Sequence, residues 1–242
     1  RGQRISGPAP EPKGKAGGKP ALAAKGKAGG KPAETDPVLD KKSGVTVSQV
    51  KAAFTPKGFD SVAERVKPSD KHGYSEIGIG LYKNGKRVGE INREFDNEDG
   101  VLLAHHSFFR LDKELRGKGA SKEILRNSLD LYEKMGVKKI TFQADSVGKY
   151  AWASLGFKEE EGRESLAPAF ARHLRGLGLV KQAREVEEKN IAPRHIASFT
   201  IEGKSVGRSF LLSTDAPMWH AEMRVKRGDP DYEYLRDRVG AK

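Results

Sequence analysis

From residue 45 onward the apolar positions of the chain follow two different periods. Val47, Val50, Ala53 and Phe54 stand three or four apart and predict a short helix within 45–57. Over Ser75–Tyr82, SEIGIGLY, the pattern changes to alternation. The Asn84-Gly85 dipeptide follows, then RVGEINREF over Arg87–Phe95, which together predict an antiparallel hairpin. After the turn-rich DNEDG, the run Val101–Leu111, VLLAHHSFFRL, is long enough for a central strand. Ser121–Met135 then places Ile124, Leu125, Ser128, Leu131, Tyr132 and Met135 on one helical face, and Gly136 supplies a stop. Val137–Gln143 predicts a strand and Lys149–Leu155 a short helix that ends at Gly156-Phe157. Residues 163–189 are helical in composition with breaks near Gly176 and Gly178. Ile196–Leu212 predicts a second hairpin turning at Gly203-Lys204, and an Asp-Pro start at Asp229 predicts a last helix through Val239.

The first 44 residues lack this patterning. KGKAGGKPA at Lys13–Ala21 is repeated letter for letter at Lys25–Ala33, with no apolar side chain larger than Ala apart from its proline. Such a segment buries too little surface to offset the entropy of ordering it, so it reads as a disordered linker. It carries ten Lys or Arg against four Asp or Glu, half of the chain's net charge of +12. A solvated tether accounts for that excess. The rival is a tail that holds nucleic acid through counterion release, although no aromatic residues accompany its charge.

Composition removes several classes of function. Without cysteine there is neither a disulfide framework nor a thiolate nucleophile, and the six histidines show no metal-ligand spacing. No apolar run of eighteen residues and no apolar leader segment is present, so a soluble chain is expected, cytoplasmic or virion-associated, with no membrane partner. The start at Arg1 instead of Met suggests a piece of a larger protein or assembly.

The remaining chemistry concentrates in ELRGKGASKEIL, Glu114–Leu125. A strand that runs through a glycine loop into a helix presents several backbone N–H groups and the positive end of the helix dipole at one point, which suits a phosphate. Gly117 and Gly119 permit close approach, while Arg116 and Lys118 add positive charge. A tight turn is the alternative reading. GxxxxGK[ST] is absent, and the GxGxxG pattern fails at Lys122, so neither a P-loop nor a dinucleotide fingerprint is present.

In the order of its elements, and in RGKGAS followed by AWASLGF, the chain resembles the GNAT superfamily of N-acetyltransferases. Arg116 and Gly119 match that family's pyrophosphate motif, with Ser121 in the place of its last Gly or Ala. Ala151, Trp152, Leu155, Gly156 and Phe157 match the end of its second signature. The resemblance implies an α/β fold with a mixed, mostly antiparallel sheet flanked by helices over 45–242, with a helical extension around 160–192. It also implies acetyl-CoA as co-substrate and no metal. Arg116 with the amides of Gly117, Lys118, Gly119, Ala120 and Ser121 would hold the pyrophosphate. Phe108, Phe109, Arg110 and Leu111 would lie beside the pantetheine. A fainter likeness, in GKYAWASLGF with HIASF and SFLLS, is to GNAT-like modules of phage head-morphogenesis proteins and modular toxins.

Three positions depart from the family pattern: Ser146 stands for its Asn, Gly148 for an Ala and Trp152 for the Tyr that protonates the leaving thiolate. An indole N–H can steady a thiolate without giving it a proton, and a thiol of pKa about 8.5 is a tolerable leaving group without an acid. Tyr150 lies about 200° away round a helix. Acyl transfer also needs a neutral amine, and His105, His106 and Glu90 are the candidate bases, a packed or hydrogen-bonded histidine being the alternative for each. Neighbours on a strand face opposite ways, so one histidine at most looks into a cleft. Three functions are then open: acetyl transfer from acetyl-CoA to a primary amine of a small molecule or protein, a structural or binding module that lost the chemistry, and an RNA-directed acetyltransferase toxin.

Overall fold

The computed structural model describes residues 36–241, so the repeat read as a tether, and any nucleic-acid contact by it, lies outside the described residues. Ordered structure begins ahead of residue 45. Strand β1 (Val38–Asp40) pairs antiparallel with β2 (Val45–Thr46), and Leu39 is fully buried. The expected boundary at 44/45 therefore cuts a hairpin, because Pro37 and the Lys41-Lys42 turn disguise a strand of only three residues. Helix α1 (Val47–Phe54) starts in a capping box: Thr46 Oγ1 accepts from the Gln49 amide, and Gln49 Oε1 accepts from the Thr46 amide.

The strand β3 (Asp60–Lys67) was not anticipated. DSVAERVK holds three apolar residues, Val62 is exposed, and the strand pairs on one side alone, with β4 (Ser75–Lys83). The predicted hairpin joins β4 to β5 (Lys86–Glu98) through Asn84 and Gly85 at φ 51° and 74°, the left-handed pair that a type I′ turn requires. Next come β6 (Val101–Leu111), a 3-10 turn at Lys113–Leu115, α2 (Ala120–Met135) and β7 (Lys139–Ala144). The chain continues through α3 (Gly148–Ser154), β8 (Lys158–Glu159), α4 (Leu166–Gly176) and α5 (Val180–Lys189). It ends with α6 (Pro193–Ala197), α7 (Val206–Leu212), β9 (Trp219–Arg224) and α8 (Pro230–Val239).

The hairpin expected over Ile196–Leu212 does not form. Glu202 and Gly203 do make a tight turn with positive φ, closed by the single bridge between Ile201 and Lys204. On either side of it the chain is helical. Pro193 opens α6, and Phe210 and Leu211 of α7 are buried at helical spacing from Val206. Sheet completion falls instead to β9, which starts at the buried Trp219.

Seven strands form one mixed, mostly antiparallel sheet in the order β3-β4-β5-β6-β7-β9-β8, and the only parallel pair among them is β6–β7, connected through α2. Phe95, Ala104, Ile140 and Met223 stand in register across β5, β6, β7 and β9, and all four are buried. Helix α2 buries Ile124, Leu125, Leu129, Leu131, Tyr132 and Met135, each side chain contributing roughly 2 kcal/mol through burial. Helix α8 clamps α2: the Tyr232 hydroxyl and Arg236 Nη1 both donate to Glu133 Oε1, at 2.7 and 3.0 Å. No helix of the described residues is long and apolar enough to cross a membrane.

Candidate functional site

The parallel pairing of β6 with β7 is brief: Leu103 with Lys139, Ala104 with Ile140, and His105 with Thr141. Beyond His105 the two strands part, and β6 runs on to Leu111 paired with β5 alone. The parting coincides with a bulge. From Asn92 to Glu94 on β5 is two steps, whereas their partners Phe108 and His105 are three apart. The extra residue in β6 bends it, and past His105 the edge of β6 away from β5 pairs with no strand among the described residues.

Arg93 stands opposite the bulge. It is 2% exposed, and its Nη1 donates to the carbonyl oxygens of Asn92 (2.8 Å) and Phe108 (3.0 Å), with its guanidinium over the Phe54 ring. It thus satisfies a carbonyl that the irregular register leaves over. Burial lowers its pKa, and its Nε has no partner.

Where β6 ends, the chain passes through the 3-10 turn into a glycine loop ahead of α2. Gly117 and Gly119 take φ of 73° and 89°, and a Cβ on either would meet nothing, so their need for glycine is conformational. Gly119 caps α2 without a side chain. The next amide with an acceptor within the chain is that of Glu123, bonded to the Gly119 carbonyl. Among the described residues, the six amides of Gly117–Lys122 have no acceptor. Arg116 Nε donates to the Leu111 carbonyl (2.8 Å), which folds the guanidinium back onto the end of β6, and Lys118 has no carboxylate partner among the described residues. Of the residues before the loop, Phe108 is exposed beneath Arg110, Phe109 is half-buried and Leu111 is buried.

The two histidines diverge as strand geometry requires. His106 is 7% exposed, within 2.8 Å of the Tyr132 hydroxyl through Nε2, while its Nδ1 has no partner. Burial, then the Arg93 charge, then His105 hold its pKa well below the ordinary 6.5. It is a neutral, enclosed group. His105 is exposed on the other face, with Nδ1 3.0 Å from Thr141 Oγ1, at the last paired position before the strands part. Glu94 is its partner on β5, and Glu222 faces Thr141 on β9, so Glu94, His105, Thr141 and Glu222 form one polar row. Glu90 does not join that row: it pairs with Arg110 near the loop end of β6 and is bracketed by Arg87 (3.3 Å) and Arg110 (4.0 Å).

Trp152 is half-buried on α3, its ring 4.6 Å from Phe142, 5.4 Å from Phe157 and 6.3 Å from His106. This aromatic group stands beyond the last β6–β7 pair. Sequence reasoning missed Arg93, Glu94 and Thr141. For Arg93 a signal existed, a charged residue at the inward position of the alternating run Ile91, Arg93, Phe95. For Glu94 and Thr141 there was none, because cross-strand register is not written in local pattern. Among the described residues no group of His, Asp and Glu is placed to hold a metal ion.

No family model and no curated protein matches the chain. Solved structures do. The chain is similar to Arabidopsis thaliana Naa50 in complex with the bisubstrate analogue CoA-Ac-MVNAL, at 19% identity over 35% of this chain and 58% of that one, with a TM-score of 0.30. It is also similar to the NatC complex bound to Gag peptide and CoA, at 15% identity over 37% of this chain and 61% of that one, with a TM-score of 0.31. The chain thus spans about three fifths of the length of each.

Proposed function

We propose that the chain is an N-acetyltransferase that takes its acetyl group from acetyl-CoA and delivers it to a primary amine. The observation that carries this reading is the run of six amides without acceptors, Gly117–Lys122, placed where β6 ends after leaving β7. Those amides, the α2 dipole, Arg116 and Lys118 suit a pyrophosphate. The free edge of β6 beyond the bulge suits the amide-bearing pantetheine arm, which can hydrogen-bond there like an added strand, beside Phe108–Leu111. The thioester end then reaches the apex of the split. Trp152, Phe142 and His106 crowd that point, which favours a two-carbon acyl group.

Of the candidate bases, His105 fits best. With Nδ1 engaged by Thr141, its Nε2 takes the proton that leaves the amine nitrogen as that nitrogen bonds to the acyl carbon and the carbon–sulfur bond breaks. The departing thiolate keeps the bond's electron pair, with the Trp152 N–H as its donor. His106 is enclosed and Glu90 is held between two arginines, so both act on structure.

Calorimetric titration with acetyl-CoA and CoA, on the chain and on an Arg116→Ala/Gly119→Glu variant, tests the binding half. Saturable binding lost in the folded variant is expected, and absence of binding to the parent chain refutes the reading. Turnover of a primary-amine panel tests the chemistry: His105→Ala should lower kcat by 10²-fold or more with the KM for acetyl-CoA little altered. A second reading, a binding module without chemistry, has one observation in its favour, Trp152 in place of a proton-donating tyrosine. Acetyl-CoA binding without turnover on any amine would establish it.

A further inference from the structure

We propose that a cavity between α3, α6 and α8 binds a phosphomonoester of nucleoside-monophosphate size. The cavity measures about 360 Å³ and is lined chiefly by Tyr150, Ser154, Arg194, His195, Tyr234 and Arg238, with no carboxylate among its lining residues. Its volume falls within the range of small-molecule sites and exceeds what a bare phosphate fills.

The arginines are ordered ahead of any ligand. Arg238 lies 5.3 Å over the Tyr234 ring and its Nε donates to the Tyr234 hydroxyl at 3.1 Å. Arg194 approaches the same ring at 5.9 Å while its Nη1 donates to Asp231 at 2.7 Å. Arg208, which is not part of the lining, stands 5.3 Å over the Tyr150 ring. Arg208 and Arg238 have no carboxylate partner among the described residues, and neither has His195. Aromatic faces therefore hold the Arg194 and Arg238 guanidinium groups at a cavity with no carboxylate in its lining; Arg194 engages Asp231 through Nη1, and Arg238 has no carboxylate partner among the described residues. A doubly charged phosphate accepting forked hydrogen bonds matches that arrangement. The Tyr150 and Tyr234 rings with Ser154 leave an amphipathic wall for a sugar and base.

This site is separate from the loop. Tyr150 and Trp152 lie about 200° apart round α3, and Trp152 packs toward Phe142 on β7. The proposal stands whether or not the chain transfers acetyl groups.

The test is calorimetric titration of the full chain at low salt with AMP, adenosine and inorganic phosphate, repeated on Arg238→Glu and Arg116→Ala. Saturable AMP binding is expected, with adenosine silent and phosphate at least tenfold weaker. Arg238→Glu, an exposed position, should weaken AMP at least tenfold with an unchanged circular dichroism spectrum, and Arg116→Ala should leave it unaltered. No AMP binding at millimolar concentration overturns the proposal. So does loss in Arg116→Ala with retention in Arg238→Glu, which assigns AMP to the loop, and phosphate as tight as AMP removes the nucleotide-sized ligand.

Discussion

Arg93 and His106 lie together beneath the bulge with no carboxylate among the described residues to neutralise the arginine, an arrangement whose consequences can be measured directly. Because His106 is kept neutral by burial and by Arg93, the folded chain declines a proton that an unfolded imidazole takes below about 6.5. Stability should therefore fall as pH drops from about 6.5 toward the folded-state pKa, by about 1.4 kcal/mol per unit for one proton. Glu159, whose pKa burial raises, gives the opposite slope, and Glu76, lowered by Arg65 and Lys67, acts below the usual carboxylate range. The readout is thus a comparison: between pH 7 and 5.5 the urea midpoint should drop more in the parent than in His106→Gln. Equal slopes would place the proton elsewhere. Arg93→Met leaves the Asn92 and Phe108 carbonyls without their donor, and should destabilise the chain by about 2–3 kcal/mol in urea unfolding. Arg93 stood at an inward position of the alternating run Ile91, Arg93, Phe95, and His106 was one of two histidines of which one at most could face a cleft. What stayed hidden was their company, since Tyr132 and Phe54 come from helices distant in sequence.

At the scale of elements, two glycines separate conformation from space. Gly119 has positive φ and open surroundings, so Gly119→Ala should cost about 1–2 kcal/mol of backbone strain and no clash. Gly207 has ordinary φ, but a Cβ there would run into the carbonyl of Ile196 where α7 packs on α6. Gly207→Ala should force those helices apart and cost more than about 3 kcal/mol, which thermal unfolding of the two variants side by side would reveal. The same close packing explains the failed hairpin over Ile196–Leu212. TIEGKSV alternates well enough to imitate a strand, and its turn is real, yet Phe199, just past α6, and Phe210 of α7 both pack against Phe170 of α4. Tertiary contact overrode local alternation there. In the β4–β5 hairpin and in α2 the two agreed, so those elements were legible.

For the whole molecule, element types could be read along the chain but their arrangement could not. Nothing in SFLLS or in WHAEMR tells which segment closes the sheet, because the insertion of β9 between β7 and β8 depends on pairings far apart in sequence. Nor did composition reveal how far the fold extends toward the amino terminus. Lys41 and Lys42 made residues 36–44 look like more linker, while β1 carries a fully buried Leu39, its carbonyl accepts from Ser69, and the Pro37 carbonyl accepts from Val47 at the head of α1. A chain that begins at residue 45 loses that side chain and both acceptors, roughly 3 kcal/mol from about 2 for the leucine and the remainder for exposed amides. In a chain of this size that corresponds to roughly 5–10 °C in Tm relative to one that begins at residue 36. If the two chains melt together, β1 contributes no stability and the boundary belongs at 45. A lower Tm for the shorter chain, restored by adding back 36–44, places the start of the cooperative unit at the hairpin, ahead of α1.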